Sequence, residues 1–171
     1  RRIYAAGDVC LKRKFTHTAD ATARIVIQNA LFFGRKKLSR LTVPWCTYTA
    51  PELAHVGLYE QEAREQGIEV RTFTRLFEEN DRALTESRPA GFVRVHVKAG
   101  SGRILGATIV GPHAGDMISE LSVAIEGKVP LGRLSGVIHP YPTLAETIKH
   151  IGDDFRRSGL TPFTAGLLRR I

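Results

Sequence analysis

Val93, Val95 and Val97 alternate with Arg94, His96 and Lys98, and Gly100, Ser101 and Gly102 then separate this run from a second apolar run over residues 104–110. Strand side chains point to opposite faces with a period of two, so the three valines share one face only if the run is a strand lying on a core. The glycine-rich break predicts a turn. The stretch over 92–110 therefore predicts an antiparallel hairpin with one face packed on helices and the other polar or solvated.

The flanking sequence supplies strands and helices to go with it. Residues 43–49 and 70–76 read as further strands, with a short polar helix over 60–66 between them closed by Gly67. Gly111 and Pro112 break the hairpin. Met117, Ile118, Leu121 and Ile125 then form the apolar stripe of a helix ending at Gly127, and Leu144, Ile148, Ile151 and Phe155 line a helix that begins near Thr143. Strands joined by hairpins, with helices before and after, predict an α+β domain: an antiparallel β-sheet with flanking helices, not a doubly wound parallel sheet.

The first forty residues differ in character. Residues 3–6 read as a short buried strand ending in Gly7 and Asp8, and Ala19, Ala23, Val26, Ile27, Ala30 and Leu31 recur at helical spacing. Thr16 or Thr18 is expected to cap this helix and Gly34 to close it in the left-handed conformation. The basic connector over 38–40 marks a boundary, so 1–40, with its strand, Gly-Asp motif and helix, is read as one piece. Residues 41–160 are read as the sheet domain and 161–171 as a basic tail with room for a last helical turn.

Composition narrows the classes. With 171 residues, 43% hydrophobic and 25% charged, the chain can bury one substantial core, and no apolar run approaches the length of a membrane span. The first residue is Arg1 and no leader pattern precedes residues 3–6, so a fragment or a processed chain is expected. Cys10 and Cys46 are too few for a disulfide framework and too far apart for a paired motif; two reduced thiols in a soluble, cytoplasmic chain are expected. The formal charge of +8 is spread over small groups such as Lys12, Arg13 and Lys14, or Arg35, Lys36 and Lys37, without interleaved aromatics. Neither nucleic acid nor a membrane is expected as a partner. No glycine-rich dinucleotide or phosphate loop is present, and His55, His96, His113 and His150 lack metal-ligand spacing, so no metal site is expected.

Two places can carry chemistry. In the first, Pro140 and Pro142 hold the backbone extended just before a helix start, which presents His139 and Tyr141 on a stiff arm. Glu146 lies one turn into that helix, close enough to orient whichever ring folds back toward it. A carboxylate paired with an imidazole or phenol is a proton-transfer unit, although a packed loop-to-helix junction uses the same residues. In the second, Gly7 and Asp8 precede a helix N-terminus. A carboxylate there can accept from ribose-like hydroxyls while the free N–H groups favour an anionic atom. An ordinary turn is the plainer account.

Several separate stretches, in order, resemble the pyridine nucleotide-disulfide oxidoreductase family. Residues 3–9 (Ile3, Tyr4, Ala5, Ala6, Gly7, Asp8, Val9) resemble its second FAD motif, and 17–23 resemble the start of the helix directed at the flavin ring. The run over 48–57, from Tyr48 through Pro51 and Glu52 to Gly57, resembles the signature that opens the dimerisation domain. Asp81-Arg82-Ala83, Gly91-Phe92-Val93, Ile104-Leu105-Gly106 and Val110-Gly111-Pro112 follow in family order, and 139–146 resemble the C-terminal active-site segment.

The resemblance implies a homodimer and FAD and NAD(P)H as cofactors of a longer protein whose N-terminal FAD and NAD(P) domains are not in these residues. Gly7, Asp8, Thr16 and His17 are then the FAD-binding candidates, and Tyr141, Glu146 and His139 the catalytic ones. Dihydrolipoamide dehydrogenase and glutathione reductase have a histidine where this chain has Tyr141, and a tyrosine there is more similar to the mercuric reductase branch. Mercuric reductases of the well-known type end in adjacent cysteines, whereas residues 167–171 are Leu167, Leu168, Arg169, Arg170 and Ile171. The acceptor stays open between a metal ion, a disulfide and another group, as does a purely non-catalytic dimerisation role. The isolated chain is expected to show no turnover and to bind FAD weakly or not at all.

Overall fold

The computed structural model describes residues 3–160, in which the chain divides into two compact units between Val43 and Pro44. The first unit holds a short turn of 3-10 helix, Gly7–Val9, and helix α1, Thr16–Leu31. Residues 3–6 are not a strand: Ile3 is exposed, and no ladder partner is present among the described residues. A strand without a partner leaves its backbone groups to water, which is why an apolar tetrapeptide does not suffice.

Helix α1 departs from its expected pattern in three ways. Phe15 occupies the N-cap position and neither Thr16 nor Thr18 caps the helix. The left-handed residue at the other end is Phe33, with φ 52, and not Gly34. The buried side chains are Thr18 and Thr22, while Ile27, Leu31 and Phe32 of the expected apolar stripe and its end are exposed. The Thr22 hydroxyl receives the Gly7 N–H at 3.0 Å, which ties helix to turn. Gly7 has φ +77, and a Cβ there would lie 3.2 Å from the Cβ of Ala19, so a side chain at this position meets both backbone strain and a close helix.

The second unit is the α+β domain. Strands β1 (Trp45–Thr47), β2 (Glu52–Gly57), β3 (Val70–Leu76), β4 (Phe92–Lys98) and β5 (Ile104–Gly111) form one antiparallel sheet in the order β1-β2-β5-β4-β3. The hairpin β4-β5 is the expected one, but β5 carries an extra residue, Leu105, between the partners of Val97 and His96. Strand β2 inserts between β1 and the hairpin, and its register sets Gly57 opposite Gly106. A Cβ on Gly106 would lie 2.1 Å from the Leu58 carbonyl oxygen, so the chain can leave β2 here only over a residue without a side chain.

Among the described residues five α-helices accompany the sheet: α2 (Glu60–Glu65), α3 (Asp81–Thr85), α4 (Ala114–Glu126), α5 (Leu131–Leu134) and α6 (Glu146–Arg157). Val93, Val95 and Val97 of β4 join Ile109, Leu121 of α4 and Ile148 and Ile151 of α6 in one buried core. Each such side chain contributes about 1.5–3 kcal/mol of burial. Helix α6 starts at Glu146, three residues beyond its expected start, because residues 144–145 form a turn first. It is clamped to β3 by a bidentate pair from Arg75, whose Nε and Nη2 donate to Asp154 at 2.6 and 2.7 Å.

The opposite face is more closed than the alternation predicts. His55 and His96 are buried there, with Ala63, Val70 and Leu105 forming a small second cluster. His55 Nδ1 lies 2.9 Å from the hydroxyl of its cross-strand partner Thr108, and its ring stacks on Tyr59 with centroids 3.8 Å apart. His96 Nδ1 meets the Thr72 hydroxyl at 2.9 Å, and that hydroxyl also donates to Glu60 at 2.8 Å. The histidines thus take the inner places on a face that elsewhere carries exposed Arg94.

Burial holds the His96 imidazole below the usual histidine range; Glu60 pulls it back and Arg94 adds to the depression. The unfolded chain therefore takes up this proton at a higher pH than the folded one, near about pH 6.5. Stability contributed by neutral His96 is complete above that pH and is lost as pH falls through it toward the folded value. Thermal unfolding followed from pH 7.5 down to pH 5.5 should show a falling midpoint, and His96→Gln should flatten that slope; an unchanged slope in the variant would assign the effect elsewhere.

Candidate functional site

The segment leading into α6 is held at three points, and each of its candidate side chains has a different partner. His139 lies between two acceptors: Nδ1 is 3.1 Å from the Val137 carbonyl and Nε2 is 3.0 Å from Glu120 Oε1 on α4. A ring nitrogen that donates to either acceptor has no lone pair left to take a substrate proton. Tyr141 donates its hydroxyl to Asp81 Oδ2 at 2.7 Å. Glu146 lies 3.8 Å from His150 Nε2, one turn further along α6.

The expected pairing of Glu146 with a ring of the arm is therefore not formed. The backbone here is constrained locally: Thr143 Oγ1 donates back to the Pro140 carbonyl at 2.8 Å, and Pro140 and Pro142 flank Tyr141. The arm instead leans on α3 and α4, elements far from it in sequence. Spacing along the chain suggested the nearest carboxylate, and the fold supplied two others.

The α3 contact rests on Asn80, which sequence reasoning passed over. Its Oδ1 receives the Ala83 N–H at 3.0 Å and caps α3, while Nδ2 donates to the Thr143 carbonyl and to Thr147 Oγ1, both at 3.0 Å. The residue is buried. Asp81 follows it immediately, so the capped turn that fixes Asn80 also aims the Asp81 carboxylate at the phenol. The available signal was an Asn-Asp pair before a short helical run, the composition of an N-cap.

Tyr141 itself is 69% exposed. Its hydrogen bond to Asp81 and the charge on that carboxylate push the phenol above its ordinary value, with a small added push from Glu146. The group is thus a firmly protonated donor whose oxygen keeps its lone pairs for an incoming group. It is poorly suited to removing a proton from a thiol at neutral pH.

In the first unit, Asp8 is exposed in the turn that Gly7 opens, Thr16 begins α1, and the His17 ring stacks on Phe15 with centroids 5.2 Å apart. Thr18 Oγ1 is buried and has no hydrogen-bond partner. A carboxylate, a helix N-terminus and an unsatisfied hydroxyl thus lie within one turn-and-helix unit. Among the described residues no group of three or more His, Cys, Asp or Glu side chains is placed to hold a metal ion.

A five-stranded antiparallel sheet with this helix arrangement, and a C-terminal arm carrying Tyr141, define a known class. Residues 43–151 match the dimerisation domain of the pyridine nucleotide-disulphide oxidoreductases, and the chain belongs to that family. It is 37% identical to mercuric reductase of Staphylococcus aureus over 86% of its own length and 27% of that protein's. With dihydrolipoyl dehydrogenase of Thermus scotoductus it shares 34% identity over 92% of its length and 34% of the relative's. The HOCl-induced flavoprotein disulfide reductase RclA of Escherichia coli superposes with a TM-score of 0.80 at 26% identity, covering 88% of this chain and 35% of that one. The chain thus spans about a quarter to a third of the length of the relatives it matches.

Removing the Asn80 side chain deletes a buried cap and strands the Thr143 carbonyl. Asn80→Ala should destabilise the protein by about 1–3 kcal/mol and speed amide exchange over 143–147 more than in the strands. Exchange unchanged at those amides would show that the arm is held without Asn80.

Proposed function

We propose that this chain is the C-terminal, dimer-forming part of an FAD-dependent NAD(P)H oxidoreductase resembling mercuric reductase. Its arm over 137–146 serves the active site of the second subunit of a homodimer. The observation that carries the reading is the presentation of Tyr141: the arm is anchored through Asn80, Asp81 and Glu120, yet the ring stands 69% exposed. A side chain held this firmly at the rim of its own domain has its work outside that domain. Exposed Ile138, next to His139, and exposed Val123, one turn from Glu120, offer apolar surface for the subunit contact.

The residues of the first unit fit one part of FAD. The Gly7 turn lies against α1, where a Cβ would crowd Ala19, and the Thr18 hydroxyl is buried without a partner. Asp8 would hold hydroxyls of the flavin's ribityl chain, and the N–H groups at Thr16 and His17 would face its ring. Bound FAD would supply two-electron transfer from a reduced nicotinamide to the acceptor. Exposed Ile3, Val9, Phe32 and Phe33 are the apolar surface that the remaining FAD and NAD(P) domains would cover.

Within this reading, Tyr141 presents a phenol oxygen to the acceptor while its proton stays on Asp81's side. His139 sets the arm's geometry through Glu120, and Glu146 stands at the start of α6 beside His150. A phenol in this state suits a bound metal ion or a polarised sulfur better than thiol deprotonation, which favours the mercuric reductase type over the dihydrolipoyl dehydrogenase type.

The full-length protein is expected to run as a dimer in light scattering and to oxidise NADPH or NADH when given Hg(II) or the aromatic disulfide DTNB. Tyr141→Phe should leave the dimer and flavin reduction unchanged and slow acceptor reduction by about tenfold or more. A variant as fast as its parent would leave the arm a packing role only. Failure to reduce either acceptor, or normal turnover by a monomer, would sink the proposal.

A further inference from the structure

We infer that Asp81 is the positioning residue for Tyr141: it fixes the phenol's hydroxyl so that its proton points into α3 and its oxygen lone pairs point outward to the acceptor. This deepens the reading above and rests on it. The motivating geometry is a single 2.7 Å bond between two groups sixty residues apart in sequence, on a surface where an exposed tyrosine would otherwise turn freely. A phenol has one proton and an oxygen with lone pairs, so whichever neighbour takes the proton decides where the lone pairs face.

Asp81 is well placed for this. It is the first residue of α3, and Asn80 immediately before it spends its oxygen on the helix cap and its amide on the arm. The carboxylate and the segment that carries the phenol are thereby tied to the same short turn, and the distance between them is set by buried bonds on either side. The other charged groups in the neighbourhood are engaged elsewhere: Arg82 with Glu86 along α3, and Glu146 with His150 along α6. Among the described residues, Asp81 alone accepts from the phenol.

A carboxylate at this point also gives the arm a chemical character different from an imidazole's. With Asp81 as acceptor, the phenol stays protonated and offers a neutral oxygen ligand or hydrogen-bond acceptor. Without it, the hydroxyl is free to rotate, and the acceptor must then orient the phenol at the expense of its own binding.

The test is a double-mutant cycle in the full-length protein, with NADPH or NADH as donor and Hg(II) and DTNB as separate acceptors. Asp81→Asn should lower kcat/KM for at least one acceptor by about three- to tenfold, leave flavin reduction unchanged, and be recovered in part by Asp81→Glu. In the Tyr141→Phe background, Asp81→Asn should have no further effect, because the residue acts only through the phenol. Carbon-13 labelled tyrosine should show one phenol titrating above the others, and Asp81→Asn should return that one to about pH 10.

Equal slowing in both backgrounds would make Asp81 a structural residue and overturn the inference. A slow Tyr141→Phe protein alongside an unimpaired Asp81→Asn would overturn it too, while leaving the functional reading intact. A silent Tyr141→Phe would remove that reading and the inference together.

Discussion

An asparagine side chain has one oxygen that accepts and one amide that donates twice, and at Asn80 both ends are used: the oxygen holds the start of α3, the amide the Thr143 carbonyl and the Thr147 hydroxyl. The residue is buried, so each of these bonds is worth more than at the surface and each would cost more to leave unmade. The end of β3, the turn of α3 and the approach to α6 thereby meet at one point. Arg75 repeats the connection one layer out, joining β3 to Asp154 in the last turn of α6. The arm that carries Tyr141 is consequently tied to the rest of the domain by side-chain bonds, although it contains no regular structure of its own.

The two units differ in what they can bury. In the second, the alternation on β4 and the stripes of α4 and α6 bury Ile109, Leu121, Ile148 and Ile151 completely, while on β3, at the sheet's edge, Arg71 is exposed and Phe73 half-buried. In the first, helix α1 hides two threonines and leaves Ile27, Leu31 and the adjoining Phe32 in water. Asp20 and Arg24 of the same helix are exposed and Ala23, Ile25 and Val26 half-buried, so α1 offers a mixed surface whose apolar part is suited to a further contact.

The parts of the fold that were legible in the sequence are those where local periodicity and tertiary burial coincide. β3 and β4 fell where alternation placed them, and α4 where its stripe and Gly127 placed it. β2 was visible only as part of a family motif, because a strand buried on both faces reads as a continuous apolar run, here broken by His55. Residues 3–6 failed in the opposite sense, since an extended apolar tetrapeptide becomes a strand only beside another strand. The possible turn over 162–171 lies outside the described residues. At the site, the arm was legible from its two prolines and its rings, but the partners were not. Asp81 and Glu120 approach Tyr141 and His139 only because β3-α3 and α4 are folded against the arm, and sequence spacing holds no record of that.

What a tyrosine does here follows from its partner more than from its own acidity. An imidazole beside a carboxylate gains basicity and can shuttle a proton near neutral pH. A phenol beside the same carboxylate is pushed the other way: it starts near pH 10, the carboxylate takes its hydrogen bond, and ionisation would set two negative charges side by side. Glu146 adds to that repulsion from α6. Tyr141 and Asp81 therefore form a donor-acceptor pair that keeps its proton at neutral pH, in place of a ring paired with Glu146.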